Sequence, residues 1–264
     1  MKLTKFILGA AAIVLGAGVM QAESKVVAHR GYWDTPGSAQ NSIRALVKAD
    51  SIGCWGSEFD VWCTPDGELV VDHDGYLNGY GVESTPSKIF TAQTIKNGEH
   101  IPTLREYLEA AKDLKIMLVC EVKPHTNLQN EKYAITQILK MAKEFGLEDR
   151  MVYITFSKPG FIQLAKEAPK GTSVQYLTGD YIPEQIEFMG GTGVDYGVWV
   201  LKKYPEWIKK CHDLGLTVNA WTVNKEADLQ WCIDNDVDFI TTNDPELLIK
   251  MLKENKNNKG KKKK

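Results

Sequence analysis

The sequence predicts a (β/α)8 (TIM) barrel with a short inserted rim segment after the second strand, and three observations lead there. Short apolar runs of β type alternate with amphipathic helical stretches from residue 25 onward. Eight such runs occur, and the last five begin at residues 151, 173, 194, 217 and 238. The steps between them are 22, 21, 23 and 21 residues, each room for a strand, a helix and two loops. The units share no residue signature, which sets a solenoid aside. A doubly wound sheet is the alternative for the same alternation, but eight units in 264 residues suit a barrel, which routinely takes about 250 residues as one domain.

The elements follow in order. Residues 1–22 have the form of an export signal: Lys2 and Lys5 precede an apolar run from Phe6 to Met20, and Ala22 offers a small residue for cleavage before Glu23. The run is shorter than the ~20 apolar residues of a membrane span. Strands are expected at Val26–His29, Ser57–Val61, Ile116–Glu121, Met151–Thr155, Ser173–Tyr176, Val194–Val198, Thr217–Trp221 and Asp238–Thr241. Thr64-Pro65-Asp66-Gly67 reads as a turn, and Leu69–Val71 as a short strand returning from the second one. Residues 75–100, rich in Gly, Ser, Thr and Asn, form an insertion of the kind that often serves as a lid or rim. A helix at Leu104–Lys112 starts on a capping box, with Thr103 as cap and Glu106 three residues on. No linker divides 23–252, and the lysine-rich tail at 253–264 is expected to be a disordered, solvated end.

Charge narrows the partner. Net charge is -2, but the tail alone carries seven Lys against one Glu, and the body between signal and tail keeps 23 basic against 33 acidic residues. An acidic body argues against nucleic acid, and any anionic ligand must be met by a few local cations. Composition, at 43% hydrophobic and 25% charged, excludes disordered, collagen-like and polytopic membrane classes. Five cysteines without CxxC pairing make neither a disulfide framework nor a zinc site. Cys54, Cys63 and Cys120 lie in or beside apolar strands, where a thiol behaves as a small hydrophobe.

Several polar residues stand where a barrel needs none for stability. Glu58 and Asp60 are two apart on one strand and so face the same way, and Glu121 and Lys123 repeat the pattern. Carboxylates converging on a barrel interior are costly without a cation. Three acids from two strands therefore point to one divalent cation with hard oxygen ligands, Ca2+ or Mg2+, with structural pairing to Arg30 or Lys123 as the alternative. His29 ends the first strand and His73 the hairpin strand, a pair suited to acid and base work. His100, His125 and His212 fall in loops or on a helix surface and read as ordinary. Arg30 and Lys123 suit a phosphate. With no Gly-rich nucleotide loop, that phosphate belongs to a small substrate. Phe156 and Trp221, at strand ends, are candidate walls of the pocket, with core packing the alternative.

These residues together resemble the glycerophosphodiester phosphodiesterase family. The likeness runs in order from about residue 25 to 252: His29-Arg30-Gly31, Glu58-Phe59-Asp60-Val61, Thr64-Pro65-Asp66-Gly67, Val71-Asp72-His73-Asp74, Ile101-Pro102-Thr103-Leu104, Glu121-Val122-Lys123, Ala220-Trp221-Thr222-Val223-Asn224, and the closing Asp238-Phe239-Ile240-Thr241-Thr242-Asn243-Asp244-Pro245. It implies a TIM barrel, a divalent cation held by Glu58, Asp60 and Glu121, His29 and His73 as the acid/base pair, and Arg30 and Lys123 as phosphate contacts. Two departures stand at the mouth. The family's Glu-Asn-Thr is here Gln40-Asn41-Ser42, and the Arg-Thr-Thr that often follows the His-Asp pair is absent. The expected function is an exported, periplasmic or secreted, metal-dependent phosphodiesterase acting on small glycerophosphodiesters. The competing readings are a phospholipase of the phosphatidylinositol-specific or type D kind, and a non-enzymatic binding protein for phosphorylated polyols.

Overall fold

A computed structural model describes residues 23–261, so the expected export signal lies outside the described residues. The elements are β1 (Lys25–Ala28), α1 (Ile43–Ser51), β2 (Gly56–Cys63), β3 (Leu69–Val71), β4 (Tyr76–Leu77), β5 (Tyr80–Gly81), α2 (Ser87–Phe90), α3 (Leu104–Ala111), β6 (Met117–Val122), α4 (Leu128–Glu144), β7 (Met151–Thr155), α5 (Lys158–Glu167), β8 (Ser173–Tyr176), α6 (Pro183–Phe188), β9 (Gly193–Gly197), α7 (Val198–Lys203), α8 (Glu206–Asp213), β10 (Thr217–Trp221), α9 (Glu226–Asp234), β11 (Phe239–Thr242) and α10 (Pro245–Lys261). Eight parallel strands close into a barrel in the order β1, β2, β6, β7, β8, β9, β10, β11 and back to β1, with helices around it. The predicted fold class is the observed one.

Strand boundaries follow the hydrophobic pattern to within two residues. The second strand runs longer than expected because its upper half has a second partner. β1 pairs with β2 only at Val27↔Gly56 and Ala28↔Ser57. Farther up, antiparallel β3 takes over with Val61↔Val71, Trp62↔Val70 and Cys63↔Leu69. This exchange delivers Asp72 and His73 to the barrel mouth beside the end of β1.

Two apolar regions hold the barrel. The larger lies between strands and helices and includes Phe59 against Tyr107, ring centroids 4.5 Å apart. The smaller plugs the interior with Val27, Val119, Val152, Ile154 and Leu177. Alternation along each strand explains why polar side chains occupy the interior above that plug. All five cysteines are buried and free.

The insertion is packed rather than loose. Val82, Phe90 and Ile101 bury against Val70, with Trp62 and Leu77 alongside. Asp66 accepts bonds from the main-chain N and hydroxyl of Ser87, and Glu83 accepts from the main-chain N of Thr126. The expected capping box at Thr103 and Glu106 is present. The tail departs from expectation: instead of ending in disorder near Leu252, α10 continues to Lys261. Leu248, Met251 and Leu252 anchor its base, and a helix once nucleated extends cheaply through Lys and Glu. Among the described residues no helix is long and apolar enough to cross a membrane.

Candidate active site

The chain after β1 turns so sharply that Arg30 has φ 56° and Gly31 φ 76°. At Gly31 a Cβ would stand 2.7 Å from the main-chain carbon of Ala45, so only glycine lets α1 approach. Asn41, with φ 58°, completes the turn by donating its main-chain N–H to the Arg30 carbonyl. Left-handed backbone at residues other than glycine costs on the order of 1–3 kcal/mol and gathers at functional sites. Here it aims the Arg30 main-chain N–H at Glu58 Oε2, 2.6 Å away.

Glu58, Asp60 and Glu121 each place a carboxylate oxygen within 4.8 Å of the others, all buried. Asp60 is the best satisfied. Asn41 donates to its Oδ2 at 2.8 Å, and Lys123 Nζ meets its Oδ1 at 3.1 Å. Lys123 also pairs with Glu121 at 2.8 Å, while Arg30 Nε stands 3.9 Å from Asp60. Glu58 Oε1 is left buried without a partner. Burial, then repulsion from Asp60 and Glu121, raises the Glu58 carboxyl well above the carboxylate range. Burial and then Asp60 raise Glu121 as well. Asp60 goes the other way, since Lys123 and its other partners overcome its burial. Burial works against the Lys123 charge, yet Asp60 and Glu121 hold it above the usual lysine value. Three acids face two cations, one hard oxygen is unmatched, and the donor set is all carboxylate. The residues fit a small divalent ion.

The histidines have defined tautomers. Asn243 Oδ1 lies 2.7 Å from His29 Nδ1 and also accepts from the Trp33 indole N–H, so Nδ1 of His29 is the protonated nitrogen and Nε2 is bare. Burial, and then Arg30, lowers the His29 pKa to about 4, so the ring is neutral at neutral pH. His73 Nδ1 is 2.6 Å from Asp74 Oδ1, and burial lowers its pKa too. The Trp62 indole donates to the His73 carbonyl and fixes its main chain.

A cavity of about 120 Å³ at the mouth is lined by His29, Arg30, Glu58, His73, Glu121, Phe156 and Trp221 among others. Of the sequence candidates, Asp60 and Lys123 stand behind that wall, paired to residues on it. Phe156 meets Trp221 edge to face at 5.4 Å, so these rings are pocket wall rather than distant core. Trp199, 59% exposed, continues the aromatic row outward, 5.2 Å from Trp221.

Four residues without a role assigned from sequence complete the site. Asn41 and Asn243 hold Asp60 and His29, and Gln40 accepts a bond from the Arg30 guanidinium at 2.6 Å. The fourth is Asp195 on β9, 1% exposed, which lines the cavity. Burial, then Glu121, raises its carboxyl well above the ordinary range. Gln40 and Asn41 carried a signal, a polar pair at the end of the first turn. Asp195, in a strand of ordinary hydropathy, carried only its interior parity. His125 also differs from expectation. It is buried, accepts from the Cys63 N–H at Nε2 and donates to the Lys123 carbonyl from Nδ1, tying β2 to the chain beyond β6.

The sequence pattern of the Glycerophosphoryl diester phosphodiesterase family matches residues 29–247. A glycerophosphodiester phosphodiesterase of Caldanaerobacter subterraneus subsp. tengcongensis is 30% identical over 248 residues, covering 86% of this chain and 97% of the relative. The crystal structure of a glycerophosphodiester phosphodiesterase from Parabacteroides distasonis superposes with a TM-score of 0.87 at 42% identity, over 89% of this chain and 99% of that one. A phosphodiesterase of Oleispira antarctica, solved in complex with the product sn-glycerol-3-phosphate, shares the fold at a TM-score of 0.76 and 20% identity, over 88% of this chain and 97% of its own.

Proposed function

Since this chain belongs to the glycerophosphoryl diester phosphodiesterase family and is a glycerophosphodiester phosphodiesterase, we propose that it releases glycerol 3-phosphate and an alcohol at this cavity, with His29 and His73 as the proton carriers and a divalent cation on Glu58, Asp60 and Glu121. The observation that carries this reading is the convergence of both histidines, Arg30, Glu58 and Glu121 on one cavity, with Asp60 completing the acidic triad behind its wall. The Oleispira relative's complex with glycerol 3-phosphate supports the product assignment.

A bound Ca2+ or Mg2+ would supply charge neutralisation at the phosphate as its ester bond breaks. The chain's own groups do the rest. Arg30, on the cavity wall, holds the phosphate oxygens with Gln40 keeping its guanidinium in place, and Lys123 adds positive charge from behind that wall, where its ammonium is paired with Asp60 and Glu121. The bare Nε2 of His29 takes the proton from the glycerol hydroxyl next to the phosphoester, and that oxygen attacks phosphorus from within the substrate. Such intramolecular attack has a high effective molarity. His73 enters the cycle as the imidazolium, a form that Asp60 and the hydrogen bond to Asp74 favour against its burial, and gives its Nε2 proton to the departing alcohol. The roles then reverse: water adds to the cyclic phosphate with His73 as base, and His29 returns a proton to the glycerol oxygen. Phe156 and Trp221 keep bulk water off the reacting group.

The test is product release from a panel of glycerophosphodiesters, with and without chelator, for wild type and for His29→Ala and His73→Ala. Each alanine variant is expected to lose about 10²–10⁴ in turnover. Full activity in excess chelator counts against the cation, and wild-type turnover in either variant removes that histidine from the chemistry. A substrate with the neighbouring hydroxyl methylated is expected to bind and barely react, and its rapid hydrolysis would instead point to direct attack by water. The leader-like residues 1–22 support a place outside the cytoplasm, periplasmic or secreted. Amino-terminal sequencing of exported protein is expected to begin near Glu23, and an intact Met1 would contradict export.

A further inference from the structure

Asp195 is an acid that the proposed chemistry leaves unused. It stands on β9 level with Asn219 of β10 and lines the cavity, yet it lies outside the triad of Glu58, Asp60 and Glu121. Its carboxyl is buried, and Oδ1 has no hydrogen-bond partner. The donors of neighbouring interior positions are turned elsewhere: Gln175 donates to Ser173 and Thr217, its Oε1 being left without a partner, and Thr241 donates to Asn219. Ile154, Leu177 and Trp221 line the same cavity as apolar wall. Trp221 is fixed there because its indole N–H donates to the Asp195 main-chain carbonyl at 2.8 Å, so ring and carboxyl come as one unit.

A buried carboxyl without a partner is costly, and nothing in the packing of β9 calls for one. The group that meets it must hydrogen-bond a carboxyl oxygen, and a polyol hydroxyl, which both donates and accepts, does so whether or not that carboxyl carries a proton. We infer that Asp195 is a specificity-determining residue that hydrogen-bonds the terminal hydroxyl of the glycerol moiety, the one that takes no part in bond breaking. The inference rests on the proposed function and orientation, with phosphate at Arg30 and glycerol directed inward. Asp195 then distinguishes a three-carbon polyol phosphate from a two-carbon one lacking that hydroxyl, while Trp221 packs against the carbon chain.

The experiment compares sn-glycerol 3-phosphate with 2-hydroxyethyl phosphate, which lacks the hydroxymethyl arm, by calorimetric titration of the full-length protein in saturating Ca2+ or Mg2+. Wild type is expected to prefer glycerol 3-phosphate by about 10- to 100-fold, the range for a buried polar group that loses its partner. Asp195→Leu is expected to bring that ratio to near one, and Asp195→Asn to an intermediate value. Both variants should melt at or above the wild-type temperature, since removing an unpaired buried carboxyl relieves strain. A merely structural acid would behave the opposite way, with lower melting temperature and equal weakening for both ligands, and that result overturns the assignment. A wild-type ratio near one overturns it too. Product release from glycerophosphocholine, measured in parallel, tests the phosphodiesterase reading separately, because the Asp195 assignment is judged on the binding ratio.

Discussion

The proton on His29 sits where Asn243 puts it. With the Trp33 indole holding the amide oxygen toward the ring, Nδ1 carries the hydrogen and Nε2 is free to accept one. Asn243→Ala should therefore leave the fold intact and let the imidazole turn, lowering turnover by about 10- to 100-fold, less than loss of the ring itself. Steady-state kinetics beside a thermal melt checks this, and unchanged turnover would detach Asn243 from the mechanism. Glu58 offers a second test at the same scale, because its Oε1 is buried and unmatched among like charges. Glu58→Gln should raise the melting temperature of the metal-free protein by about 2–4 °C, roughly 1 kcal/mol for a domain of this size. The same change should abolish the upward shift that Ca2+ or Mg2+ gives wild type, since only a ligand bound to the folded state stabilises it. A metal-induced shift that survives in the variant removes Glu58 from the ion site.

At the scale of elements, the segment between β3 and α3 decides where His73 points. Trp62 holds the His73 carbonyl from below, and at Gly75, with φ 64°, a Cβ would press on the Trp62 ring at 3.0 Å. Asp66 anchors the far end by accepting the N–H and hydroxyl of Ser87 at the start of α2. Those bonds, with that of Thr64, hold its pKa at about 2. Its contribution is thus fully present above the unfolded value near pH 4 and fades as pH falls toward 2. Asp66→Ala should cost roughly 0.5–1 kcal/mol, the low end for a cap, because solvent screens an exposed carboxylate. Limited proteolysis should cut residues 75–100 faster in the variant at pH 7, and the difference should shrink at pH 2–3. Equal cleavage rates at pH 7 would show that Asp66 does not secure the insertion. Asp66 was legible in sequence as a turn residue, and its partner Ser87 was not, because they are 21 residues apart and only folding joins them.

The whole molecule is a closed ring of strands, and its closure has narrow tolerances where strands run nearest. At Gly193, on β9, a Cβ would stand 2.4 Å from Thr217 Oγ1 and 2.6 Å from the Thr217 carbonyl on β10. Gly193→Ala should cost about 1–3 kcal/mol by overpacking and lower the melting temperature by roughly 2–4 °C per kcal/mol. A melt at the wild-type temperature would mean that β9 and β10 have slack. The ring closes at β1 and β2 over two residue pairs only, and above them β3 replaces β1 as the partner of β2, which brings His73 to the mouth.

The positions of the eight strands and the expectation of a barrel were determined by the sequence alone, because apolar alternation and spacing are local quantities that each segment carries with it. So were the charged pairs Glu58 with Asp60 and Glu121 with Lys123, since parity along a strand fixes which side a residue faces. Only the tertiary structure decided the partners. Asn41 reaches Asp60, Asn243 reaches His29 and Asp195 reaches the cavity across 19, 214 and no marked sequence distance, respectively. It likewise turned His125 from an ordinary loop residue into a buried tie, and carried α10 into the lysine-rich tail as far as Lys261. Contacts of that kind are made by closure of the ring, and no local pattern records which distant side chain closure will bring near.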